Sequence, residues 1–209
     1  PKRNKEYDWR KVVPGNTKKT LWNSYYKIEE LPQVINPKSG YIYNANHSPF
    51  KSTSIDENPL AENFSKNMGY ELYDNNRSTR LYNLIKSYDK IDYQDFKKIK
   101  YDRTLPTPLN YNFADLNQLF EMNPNDFPEI SDLLSIIQKW DRVANADSYG
   151  AGAYAMMYYN LRKYYYKLKK DNIFSKEMLA ECLKEVKKNM IESFGSINVK
   201  LGDYQKLVR

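Results

Sequence analysis

The sequence predicts an α+β fold, with strands in the first quarter of the chain and a mainly helical portion after them. Three observations lead there. Between Asp8 and about Ser48 the chain is aromatic, β-rich and punctuated by Pro and Gly, as in VVPG, TLWNSYYKI and LPQVINPKSG before YIYNAN. From Arg77 onward, apolar residues recur at spacings of three and four. Residues 195–209, GSINVKLGDYQKLVR, read as a return to extended structure.

Four segments follow from that texture. Residues 1–49 form a strand-rich part. Residues 50–76 form a long loop whose Phe50, Leu60, Phe64, Met68, Tyr70 and Leu72 are candidate anchors, so order is expected in it. Residues 77–194 form a mainly helical region, and residues 195–209 a truncated return strand.

Within the helical region, STRLYNLIKSY sets Leu81, Leu84, Ile85 and Tyr88 on one face, and Asp92 is a candidate cap for YQDFKKIK. The Pro-rich TLPTPLNYN ends that pair. Pro128 suits a first helical turn, and Ile130, Leu133, Leu134, Ile137 and Trp140 make an apolar stripe. Asp147 or Ser148 caps the next expected helix, YGAGAYAMMYYNLRKYYYKLKK, whose Gly150, Ala151, Gly152 and Ala153 allow close approach of a neighbour. Ser175 opens the last helix and Gly195 closes it, with Met178, Leu179, Cys182, Leu183, Val186 and Met190 repeating between them.

Length and composition narrow the function. The 209 residues are enough to bury a core. A single cysteine, Cys182, excludes an internal disulfide framework and any multi-cysteine zinc site; its position in an apolar stripe makes it a core residue. No apolar run reaches the roughly 18 residues that cross a bilayer, so no membrane partner is expected. The net charge of +7 raises nucleic-acid binding, but only eight of the 33 basic residues are Arg. Lys, Asn, Tyr and Ile are abundant together, as AT-rich coding favours, so the basic excess needs no nucleic-acid partner.

Among chemical candidates, His47 lies at a turn without the partner spacing of a metal site or triad. The tyrosine-rich helix is expected to pack into a core; read otherwise, it makes a noncatalytic binding module presenting tyrosines to a partner. Asn44 and Asn46 end the stretch YIYNAN. Carboxamides there are either turn formers or fixed N–H donors to a developing oxyanion, and composition does not choose between them.

A longer tract decides more. ELPQVINPKSGYIYNANHSP, residues 30–49, resembles the β-chain of the penicillin acylase (penicillin amidase) family of N-terminal-nucleophile hydrolases, which carry LPxxxNPxxGYixNxNxxP. The match falls at Leu31, Pro32, Asn36, Pro37, Gly40, Tyr41, Asn44, Asn46 and Pro49. WRKVVPGNTKKTLW, NNRSTRLYNLI, DYQDFKKIKYD, the Trp-Asp pair of IIQKWDRVANADSYGAGAYAMMYY and LGDYQKLVR resemble further family segments in the same order.

The resemblance implies part of an N-terminal-nucleophile sandwich and an amidohydrolase that cleaves a small-molecule acyl amide. By that resemblance the catalytic residues in this sequence are Asn46, donating to the oxyanion, and Arg77 as the nearby cation, with Arg80 the weaker candidate. The nucleophile would be a serine freed at an N-terminus by self-processing. Since the chain opens on Pro1, that serine is expected outside it, and the 209 residues alone are expected to be inactive. The implied partner is the rest of the same precursor, its α-chain and the remaining β-chain, in an exported, periplasmic or secreted parent. No cofactor is expected in this chain; several relatives hold a structural calcium, and by that resemblance Asp56 and Glu57 are the local candidates for one in the full-length parent, with most of its oxygen ligands outside this chain.

Overall fold

The computed structural model describes residues 1–165 and 174–206, which divide into two compact units, Pro1–Tyr82 and Asn83–Arg209. The seven α-helices among the described residues are α1 (Asn76–Ile85), α2 (Tyr93–Lys100), α3 (Gln118–Glu121), α4 (Ser131–Gln138), α5 (Tyr149–Tyr165), α6 (Lys176–Phe194) and α7 (Leu201–Tyr204).

The α+β expectation fails. Among the described residues there is no sheet, and the strands anticipated in the first quarter do not form. The extended pairing that does occur is an isolated antiparallel bridge between Thr104 and Val143. A strand persists only where its N–H and C=O groups meet a partner's. The Tyr41–Tyr43 stretch meets little: Tyr43 N donates to Ser52 O at 2.9 Å, and the Thr53 hydroxyl donates to Tyr41 O at 2.8 Å. Left-handed backbone at Asn36 (φ 48°) and Gly40 (φ 77°) turns the chain on both sides of Pro37–Ser39, so no extended run can build there.

The first unit is instead a chain of turns. Short 3-10 turns occupy Lys18–Thr20, Ile28–Glu30, Ile55–Glu57, Ala61–Asn63 and Lys66–Met68. Asn58 ties one of them: its Oδ1 accepts from Ser52 N at 2.7 Å and Thr53 N at 3.1 Å, while its Nδ2 donates to Thr53 O and Ser54 O. In the 50–76 segment Phe50 packs against Phe64 at 5.6 Å and edge-on to Tyr70 at 5.8 Å between ring centres. Leu60 and Leu72 stay exposed, so they anchor nothing.

The second unit is helical around α5. Leu116, Leu119, Ile130, Leu133, Leu134, Ile137, Met157, Leu179 and Leu183 are all fully buried, drawn from α3 to α6 and the turns before them. Caps fall where local chemistry puts them. Asp92 accepts from Asp95 N at the start of α2, Ser148 Oγ from Ala151 N at α5, and Ser175 from Met178 N at α6. Gly195 closes α6 in the left-handed region at φ 70°.

The small residues of α5 admit close neighbours. A Cβ at Gly150 would strike Trp140, and one at Gly152 would strike the Val199 carbonyl oxygen. The expected α5 continuation through YKLKK, residues 166–170, lies outside the described residues. Cys182 is buried, its thiol pushed up to about 11 by burial, as befits a core residue.

The return strand expected over 195–209 is also corrected. Leu201–Tyr204 form α7, whose Leu201 N and Gly202 N donate to Ser148 O at 3.1 Å and Ala146 O at 2.7 Å. Backbone donors that a ladder would have used are taken by the turn preceding α5, and residues 207–209 lie outside the described residues.

Candidate active site

The turn that carries Asn46 is fixed from all sides by side chains. Asn44 Oδ1 accepts from Asn46 N at 2.7 Å, and His47 Nδ1 accepts from Ala45 N at 3.1 Å. Asn75 Nδ2 donates to both Ala45 O and Asn46 O, each at 3.0 Å. Every backbone polar group of Ala45 and Asn46 is therefore bonded. Asn46 itself sits at φ 55°, in the left-handed region that Asn tolerates better than most residues with a Cβ.

His47 is held as firmly as it holds. Its Nδ1 is an acceptor, so Nε2 carries the proton and donates to Lys51 O at 2.7 Å, while the ring stacks on Tyr43 at 4.9 Å. Lys51 Nζ pairs with Asp74 at 2.7 Å, and Asp74 Oδ1 accepts from the buried Ser78 hydroxyl at 3.3 Å.

Ser78 and Asn75 then form a reciprocal cap on α1. Asn75 Oδ1 accepts from Ser78 N at 3.0 Å, and Ser78 Oγ accepts from Asn75 N at 2.9 Å. Arg77 lies in that first turn, and its Nη2 donates to Asn46 Oδ1 at 3.2 Å.

This last bond orients the amide. A guanidinium only donates, so the Asn46 atom facing it is the oxygen, and Nδ2 points elsewhere. Among the described residues Nδ2 has no acceptor, and both Asn46 and Arg77 are exposed. Of the two carboxamides, Asn44 forms the turn; Asn46 spends neither end on it. A charged donor on the oxygen polarises the amide, making its outward N–H a stronger donor.

The penicillin amidase family model matches residues 1–202. This chain belongs to the penicillin amidase family. The family is one of amide hydrolases, so an exposed, polarised carboxamide donor is in keeping with its chemistry. The two residues that the family resemblance singled out, Asn46 and Arg77, come together in the structure across 31 positions of sequence.

Asn75 does not stand out from the sequence. Its signal was the pattern Asn-x-x-Ser at the first turn of a helix, a capping arrangement. The clamp on residues 45 and 46 has no sequence signature, because it spans 30 positions.

Glu57 directs its carboxylate oxygens to the backbone N–H groups of Lys38 and Ser39, leaving it a turn-closing role. Among the described residues no group of three or more His, Cys, Asp and Glu gathers. On α5, Tyr154 is buried, packing on Trp140 at 5.1 Å and donating to the Tyr111 hydroxyl at 3.0 Å. Tyr149 and Tyr159 remain exposed, and Tyr166 lies outside the described residues.

Proposed function

We propose that Asn46 donates through Nδ2 to the oxyanion of the tetrahedral intermediate in hydrolysis of an acyl amide, with Arg77 as the cation that orients and polarises it. The observation that carries this reading is the Arg77–Asn46 hydrogen bond, which leaves the amide N–H side unpartnered. The nucleophile is an N-terminal serine, outside residues 1–209, freed by self-cleavage of the precursor. Its hydroxyl attacks the carbonyl carbon and its proton passes to the serine's own α-amine. The carbonyl electron pair moves to oxygen, where Asn46 meets it. Collapse expels the amine with that proton, and water then hydrolyses the acyl ester.

On this reading the substrate is a small acyl amide, the parent is exported, and residues 1–209 alone do not turn over. The rest of the precursor, α-chain and remaining β-chain, is the partner. Support for that partner comes from the first unit, where Val12, Trp22, Ile35 and Ile42 are exposed.

Expression of the complete precursor tests the reading. The expected result is a mature chain beginning with serine that releases amine from an acyl amide and is labelled at that serine by a sulfonyl fluoride. A precursor that stays uncleaved, or is active with no N-terminal serine, overturns it.

A further inference from the structure

We infer that Asn75 is a positioning residue of the amidase reaction, clamping the Ala45–Asn46 turn so that the Asn46 carboxamide faces the reacting carbonyl. This rests on the reading of Asn46 as the oxyanion donor.

The two ends of Asn75 do different things. Through Nδ2 it donates to two successive carbonyls, Ala45 O and Asn46 O, each at 3.0 Å. Through Oδ1 it accepts from Ser78 N at 3.0 Å and so caps α1. Arg77 sits between those two cap partners in sequence, and its Nη2 reaches Asn46 Oδ1 at 3.2 Å. One side chain thus ties the backbone of the donor to the helix that carries its polarising cation.

The clamp answers a physical need. Asn46 is left-handed at φ 55°, a conformation that costs free energy for a residue with a Cβ and persists only where its surroundings over-determine it. Asn44 and His47 hold the two N–H groups of the turn, but the carbonyls depend on Asn75. Without it, both carbonyls would turn to water and the carboxamide would swing with them. Misplacement of a catalytic group by about 1 Å costs on the order of 100-fold in rate.

The two roles separate by substitution. Asn75→Asp keeps an oxygen for the α1 cap and replaces the clamping N–H donor with an acceptor that faces two carbonyls. Asn75→Ser keeps a capping oxygen and loses reach; it serves if the Asp variant does not accumulate. Each is made in the complete precursor and assayed after processing with a chromogenic N-acyl p-nitroanilide.

The expected result is kcat lower by about 10- to 100-fold, with KM within about twofold and the thermal midpoint little changed. In an Asn46→Ala background the Asn75 substitution should bring no further loss, because Asn75 acts through Asn46. Unchanged kcat in folded Asn75 variants overturns the inference, as do losses that multiply in the double variant. If Asn46→Ala alone keeps full activity, the oxyanion assignment fails, and this inference with it. A large loss in Asn46→Ala beside normal turnover in the Asn75 variants sinks the Asn75 role alone.

Discussion

Arg77 Nη2 donates to Asn46 Oδ1 at 3.2 Å, joining the first turn of α1 to a left-handed turn 31 positions earlier. Replacing Arg77 by Ala removes the bond that sets which way the amide faces. Turnover of the processed enzyme should fall by about 10- to 100-fold, less than for loss of an oxyanion donor itself. Arg77→Lys should recover little, because an ammonium is a strongly hydrated point charge without the guanidinium's fixed planar fork. Steady-state kinetics on both variants checks this; full activity in Arg77→Ala would remove the cation from the account.

Gly152 offers a test of the helical unit. A Cβ there collides with the Val199 backbone oxygen, which cannot rotate aside as a side chain would. Gly152→Ala should cost about 1–3 kcal/mol, as overpacking does. Gly15→Ala is the control: nothing lies within 4 Å of its built Cβ, and it should be neutral within about 0.5 kcal/mol. Thermal midpoints of the two variants, measured side by side, report the difference.

Glu57 predicts an acid-sensitive turn. The side chain and backbone of Ser39 and the backbone of Lys38 donate to its carboxylate, which holds its pKa below the ordinary 4.5. A carboxyl depressed in the folded state stabilises it above the unfolded pKa and loses that contribution as pH falls through the folded value. The stability gap between the wild type and Glu57→Ala should therefore be full near neutral pH and shrink below about pH 4.5. Thermal midpoints across pH 3 to 7 measure it; a gap that widens toward acid contradicts the assignment.

Helix ends were legible in the sequence because they are local. Asp92, Ser148, Ser175 and Gly195 act within a few residues of themselves, and apolar spacing located the buried faces of α4 and α6. Strands were misread for the complementary reason. Tyr41, Ile42 and Tyr43 have strand-like side chains, yet strand formation depends on a partner that spacing along one segment does not reveal. The same holds for the Gly-Asp segment that became α7.

The candidate site shows the same division. Asn44 and Asn46 stood out by residue type, but their roles split only in three dimensions, one forming the turn and the other left outward. The pairing of Asn46 with Arg77 was reached through family resemblance. The clamp by Asn75 escaped because it joins distant segments through backbone carbonyls, which any residue possesses.

The most direct measurement is kcat of the processed precursor carrying Asn46→Ala, on an acyl amide assayed side by side with the wild type. Loss of the outward N–H should lower kcat by about 100- to 1,000-fold with KM nearly unchanged, since a ground-state carbonyl gains little from a donor aimed at the oxyanion. A folded, processed Asn46→Ala enzyme that keeps wild-type kcat would contradict the account.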